Sequence, residues 1–171
     1  MSEQPQGPIF VRADHDHGPC VSAALAAAAE LCEARGVRLT ALRRQVLELV
    51  WGSHAPRGAY AILGTLHRRG RPAAPPTVYR ALAFLLGQGL VHRIESLNAY
   101  VGCPTPGALH AGHFLICDGC GTAAEVDSRR IGAAVRRRAA EVGFKVESET
   151  IELRGLCPAC QDAPGERGDG D

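Results

Sequence analysis

The chain has 171 residues, 46% of them hydrophobic and 22% charged, the composition of a soluble globular protein with room for one or two small domains. No apolar run approaches the roughly 20 residues of a membrane span. The polar, acidic opening Met1-Ser2-Glu3-Gln4-Pro5 has no secretory pattern. A cytoplasmic location without a membrane partner is therefore expected, with the seven cysteines as thiols or thiolates. The formal net charge of +1 hides an asymmetry. Between Val21 and Glu95 there are ten Arg and four Glu, a net of +6, whereas Ser96 to Cys160 is neutral with seven residues of each sign. A basic half beside a neutral half suggests a polyanion-binding domain joined to something else.

Residues 1–20 hold three Pro and mixed polar residues and read as a disordered tail. Their His15, His17 and Cys20 are metal-type donors, but in a tail of this kind loose binding is the lesser expectation. An Ala-rich helix is predicted over 22–35, stopped by Gly36. Thr40 is placed to cap a second helix, in which Leu42, Val46, Leu49 and Val50 keep helical spacing to Trp51. A third helix covers 58–68, with Ile62, Leu63 and Leu66 on one side. After the Pro-rich break 70–76, a fourth carries Val78, Leu82, Leu85 and Leu86 and ends near Gly87–Gly89. Leu90–Glu95 and Ala99–Val101 then read as a hairpin around Ser96-Leu97-Asn98. Helices closed by such a hairpin make a winged helix-turn-helix, whose recognition helix enters the DNA major groove. On the fourth helix, Arg80 lies opposite the apolar stripe and is free to reach a base edge or phosphate. Tyr79 sits on the flank, and Thr77 is near the N-terminus, where free N–H groups favour a phosphate.

The second half reads strand, strand, helix, strand. The strands are His113–Cys117, Thr122–Val126 and Phe144–Leu153, the last with a bulge or change of partner near Ser148–Thr150. Ser128 is the expected cap of a helix with Ile131, Val135, Ala139 and Val142 as its apolar face, ended by Gly143. About 60 residues make a poor core alone, so this part needs a metal, a partner, or both. The fold class is thus α+β, with a disordered tail at 1–20, a winged-helix DNA-binding domain at 21–95, a small αβ dimerisation and metal-binding domain at 96–160, and a second disordered tail at 161–171.

Two CxxC pairs, Cys117/Cys120 and Cys157/Cys160, sit among turn formers and are separated by one small αβ unit. A single CxxC could be a redox pair. Two of them supply the four thiolates of a closed, structural zinc site. A second set of donors gathers around the predicted domain junction: His92, Cys103, His110, His113 and Glu125. One thiolate, two imidazoles and a carboxylate could hold zinc tetrahedrally, and the residue types alone leave His110 and His113 as alternatives.

The stretches Gly36-Val37-Arg38-Leu39-Thr40, Pro75-Pro76-Thr77-Val78-Tyr79-Arg80-Ala81-Leu82, Gln88-Gly89-Leu90-Val91-His92-Arg93-Ile94-Glu95-Ser96 and Phe114-Leu115-Ile116-Cys117-Asp118-Gly119-Cys120-Gly121 together resemble the ferric uptake regulator (Fur) family over residues 22–160, and within it the zinc-specific branch. The resemblance implies a homodimeric, metal-dependent repressor with two zinc ions per chain. One would be structural, on Cys117, Cys120, Cys157 and Cys160. The other would be regulatory, on His92, Cys103, His110 and Glu125, with His113 as the substitute for His110. It also implies that Tyr60 approaches the DNA backbone. The expected function is a zinc-responsive repressor of zinc uptake and homeostasis genes, which binds a pseudo-palindromic DNA operator as a dimer. A regulator of the same family responding to iron, manganese or peroxide is the alternative. The closed ligand shells, with no HExxH or nucleophile motif, argue against an enzyme.

Overall fold

A computed structural model of the chain describes residues 9–10, 16–107, 110, 112–126 and 129–162. His15 and the expected cap Ser128 lie outside them. Helix α1 (Gly18–Ala34) starts four residues before the predicted position, within the stretch expected to be a tail. Pro19 lies in its first turn, where a missing N–H costs nothing. The helix ends on Gly36 at φ 65°, a left-handed stop suited to glycine. Thr40 caps α2 (Ala41–Trp51) by accepting from the Arg43 N–H. A short strand β1 (Arg57–Gly58) leads into α3 (Ala59–Arg68). α4 (Pro75–Gly87) follows, then β2 (Val91–Ile94) and β3 (Ala99–Gly102).

β3 pairs antiparallel with both β1 and β2, giving the order β1-β3-β2. The charge boundary between Glu95 and Ser96 therefore falls in the hairpin turn, and β3 belongs with the basic half. Ala28, Cys32, Val46, Leu47, Val50, Ile62, Leu66, Val78, Leu82, Leu85 and Leu90 are buried in one core beneath this hairpin. The wing lies directly on Trp51. A Cβ added at Gly102 would sit 2.2 Å from the indole ring, so only glycine lets the strand approach this closely.

The second sheet has the order β5-β4-β6. β4 (Gly112–Cys117) pairs antiparallel with β5 (Ala123–Glu125) and parallel with β6 (Thr150–Gly155). The parallel pairing requires a crossover, which α5 (Arg129–Glu141) supplies. The predicted long strand from Phe144 is not formed: 144–149 pairs with neither sheet, and β6 starts only at Thr150. A short α6 (Pro158–Asp162) carries the last cysteine.

The core at this end is small: Ile94 and Val101 from the wing meet Phe114 and Ile116 of β4. The apolar side chains predicted to bury the α5 face do not do so within the chain. Ile131, Val135, Val142, Phe144, Leu153 and Leu156 are all more than half exposed. Further links join the two sheets. The Ala123 N–H donates to the His54 carbonyl, and the Glu152 carboxylate accepts from the backbone N–H groups of Glu95 and Ser96 at the wing turn.

Candidate metal centres and nucleic-acid interface

The four CxxC thiols converge. Their Sγ atoms all lie within 4.8 Å of one another. The first pair turns at the end of β4, where the Gly121 N–H returns to the Cys117 carbonyl and Gly121 takes φ 73°. The second pair spans the start of α6. A side chain at 119 would press on Cys160, with its Cβ 2.9 Å from Sγ, so Gly119 keeps the second pair within reach. The Cys157 N–H donates to Cys117 Sγ at 3.2 Å, and Cys120 Sγ is 3.8 Å from Cys157 Sγ. All seven cysteines are free of disulfides.

The electrostatics fit a cation site. Burial pushes the Cys117 thiol up, but the N–H groups of Cys157, Cys120 and Gly119 outweigh it and bring the thiol down to about 6. Cys160 is pushed up to about 12 by its contacts with Cys157 and Cys117. One thiol is thus stabilised as thiolate and the last to ionise resists it, as crowded like charges do. A divalent cation removes that conflict.

The junction donors also converge. His92 on β2, Cys103 just after β3, His110 before β4 and Glu125 at the end of β5 place their ligand atoms within 4.8 Å of one another. The Nε2 atoms of His92 and His110 are 3.1 Å apart, and His110 Nε2 lies 3.5 Å from Cys103 Sγ and 2.8 Å from Glu125 Oε1. Glu125 Oε2 is buried and accepts no hydrogen bond among the described residues, although His92 Nε2 is 3.3 Å away. Burial opposes charge on His92, but the nearby Cys103 thiol and Glu125 carboxylate prevail and raise it to about 9. A buried carboxylate oxygen lacking a donor, beside a thiol and two imidazoles, is a donor set that fits zinc.

His113 does not join this cluster. It is buried on β4, with Nε2 2.8 Å from Glu149 Oε1, and Glu149 is held in turn by Arg136 at 2.6 Å. Of the two histidines left open by the sequence, His110 meets the other three donors. The Glu149 and Arg136 partners carry no spacing signal and were not foreseen.

On α4, Val78 and Leu82 point into the core, and Thr77, Tyr79 and Arg80 are exposed. Tyr60, 72% exposed on α3, meets Tyr79 edge-on with ring centroids 6.4 Å apart. Tyr60 and Tyr79 thus meet across α3 and α4, and Thr77 and Arg80, three residues apart, share an exposed side of α4. The expected free N–H at Thr77 is absent. Pro75 and Pro76 have no N–H to offer, and the N–H of Thr77 already donates to the Ala74 carbonyl at 2.9 Å. Thr77 therefore presents its hydroxyl.

The sequence profile of the ferric uptake regulator family matches residues 34–154. The chain belongs to the ferric uptake regulator family. It is 42% identical over 141 residues to the zinc uptake regulation protein of Escherichia coli K12, an alignment covering 80% of each chain. It is also similar to a solved zinc uptake regulator complexed with zinc and DNA, with a TM-score of 0.78 at 40% identity, covering 82% of this chain and 95% of that one. The holo form of the regulator XcZur gives a TM-score of 0.75 at 41% identity, covering 81% and 97%.

Proposed function

We propose that this chain is a zinc-responsive DNA-binding repressor of zinc uptake and homeostasis genes, cytoplasmic and acting as a homodimer on a pseudo-palindromic operator. The observation that carries the reading is the junction cluster. Of its donors, His92 lies on the first wing strand and Cys103 just after the second, while Glu125 belongs to the second sheet and His110 to the segment between. The likeness to a zinc uptake regulator complexed with zinc and DNA supports it.

The winged helix through Gly102 would be the DNA-binding domain and 110–160 the dimerisation domain. Cys117, Cys120, Cys157 and Cys160 would hold a structural zinc, and His92, Cys103, His110 and Glu125 a regulatory one. Bound at the second site, zinc would supply four ligand bonds that tie the wing to the second sheet. The chain's own residues do the rest. Phe114 and Ile116 seat the wing, and Glu152 fixes its turn. Arg80 and Tyr79 present the α4 face to a major groove, with Tyr60 and Thr77 beside them for the backbone. With the junction clamped, the two winged helices of a dimer would stand at the spacing of two half-sites. With it loose, that geometry is rare and apparent affinity falls by its population. The exposed apolar strip from Ile131 to Leu156 would be covered by the second copy, which supports the dimer.

Zinc is favoured over iron or manganese because Cys103 offers a soft thiolate. The test is a duplex library enriched on the zinc-loaded protein, then titrated with zinc, iron(II), manganese(II) and cobalt(II). We expect a two-fold-related motif whose binding is switched on at the lowest free concentration by zinc. Enrichment of no motif, or switching by iron or manganese at lower free concentration, overturns the reading.

A further inference from the structure

The stretch that runs from Cys103 toward His110 rests, at Gly107, on the ends of α1 and α4. The Cys103 N–H donates to the Leu90 carbonyl at 3.1 Å, just beyond α4. Gly107 takes φ 85°. A Cβ added there would lie 3.0 Å from Leu31 Cδ1 and 3.8 Å from Arg35 Nη2. A Cβ added at Gly89, in the turn that closes α4, would lie 4.0 Å from the Gly107 nitrogen. The two helix ends are themselves tied. Arg35 is the C-cap of α1 and Gln88 the C-cap of α4. Arg35 Nη1 donates to the Gln88 carbonyl at 2.7 Å and to Gln88 Oε1 at 3.1 Å. A helix C-terminus leaves carbonyls without intrahelical donors and carries partial negative charge, so a guanidinium matches it. Arg35, Gln88 and Gly107 line one cleft with His92 and His110, about 360 Å³ in volume. Arg35 is exposed and outside the core, to which α1 gives Ala28 and Cys32.

We infer that Arg35 and Gly107 are positioning residues that carry the state of the junction donors to α4. The inference rests on the proposed regulatory role of that site. With Cys103 and His110 held to one point, Gly107 stays seated against Leu31 and the Gly89 turn. Seated there, it backs the Arg35 side chain on its Gln88 acceptors. α4 is a stiff rod of 13 residues, so fixing its Gln88 end orients Thr77, Tyr79 and Arg80 at the other. With Cys103 and His110 released, Gly107 is held at neither side. Water then competes for the Arg35 donors, and the end of α4 loses its brace. The coupling runs both ways, because a duplex that favours the oriented α4 also favours the seated Gly107. An exposed arginine could instead touch a phosphate. The two roles differ in one respect: a phosphate contact counts whether the junction site is filled or empty, and the brace counts only when it is filled.

The test uses the full chain and the duplex enriched above. Affinity is measured with the junction site empty and with it filled by zinc, and the ratio is the zinc-dependent gain. Arg35→Ala should cut that gain by about five- to tenfold, the worth of a lost hydrogen bond or two. Its zinc content, its dimer and its affinity with the junction site empty should match the wild type. Gly107→Ala presses a methyl on Leu31 at a left-handed φ. It should cut the gain in the same way at unchanged zinc content, and it stands in if Arg35→Ala does not fold. The inference is overturned if either variant keeps the wild-type gain, or if Arg35→Ala lowers the affinities of the empty and filled forms alike. A wild type without any zinc-dependent gain sinks the proposed function and this inference with it. A normal wild-type gain that survives in the variants sinks this inference alone.

Discussion

The two four-donor clusters are similar in size and differ in what they join. The four thiols connect the end of β4 to α6, two pieces of the same small domain. The junction donors connect a wing strand and the segment after the wing to the far edge of the second sheet. With zinc bound, a closed all-thiolate shell inside one domain would substitute for a core the domain lacks. There the buried cluster holds only Ile94, Val101, Phe114 and Ile116, half of it borrowed from the wing. A mixed shell across two domains would add little to either core, but it would fix their relation. On the proposed reading the first arrangement would suit permanence and the second a switch, because the second could empty without unfolding what it touches.

The contrast is sharpest under mutation. Cys117→Ser removes the thiolate stabilised by three backbone N–H groups. It should release the tightly held zinc and turn the dimer into monomer or aggregate, by metal analysis and size-exclusion chromatography. A folded dimer with normal zinc would place the structural role elsewhere. Arg80→Ala leaves both clusters untouched. It should weaken binding to the enriched duplex by about 1–3 kcal/mol per half-site, the value of a bidentate Arg–guanine pair, with zinc content and dimerisation unchanged.

The two nearby histidines should separate. His110→Ala should abolish the zinc response without lowering thermal stability of the zinc-free form. His113→Ala should keep the response and cost about 1–3 kcal/mol of stability, the usual penalty for stranding a buried hydrogen-bonding partner, here Glu149. The smallest effect belongs to Glu152. Burial pushes its carboxyl up, but the Ser96 side chain and the N–H groups of Glu95 and Ser96 hold it below the usual range. A depressed folded value means stabilisation that is present above the unfolded carboxyl range and lost as pH falls through the folded value. Glu152→Gln should flatten that acid limb in a pH series of unfolding curves, with little change at neutral pH.

Much of this was legible in the residues. Helical spacing and Thr40 located α2, and Ser96-Leu97-Asn98 located the wing turn. The double CxxC defined one cluster; for the other the donor types gave only the candidates at 92, 103, 110, 113 and 125, and the choice of His110 rested on the family resemblance. What was not legible depends on partners. β1 is two residues long and exists because β3 lies beside it. The 144–149 segment alternates like a strand but pairs with no strand among the described residues, and β6 forms only where β4 is available. The α5 stripe reads as buried in sequence, and the described residues supply nothing to bury it. Pro19 could have signalled an earlier start to α1, since proline favours a first turn. Two successive prolines could have signalled that the first turn of α4 lacks two of the N–H groups a phosphate would use.

The central claim is that the junction donors, not the thiol cluster, make DNA binding depend on zinc. Cys103→Ser tests it most directly, by zinc content, oligomeric state and a zinc-titrated binding curve on the enriched duplex. The account predicts the loss of one zinc equivalent from the tightly held pool, an intact dimer, and weak binding that no longer rises with zinc. Retention of that equivalent, or its loss with a normal zinc response, would contradict it.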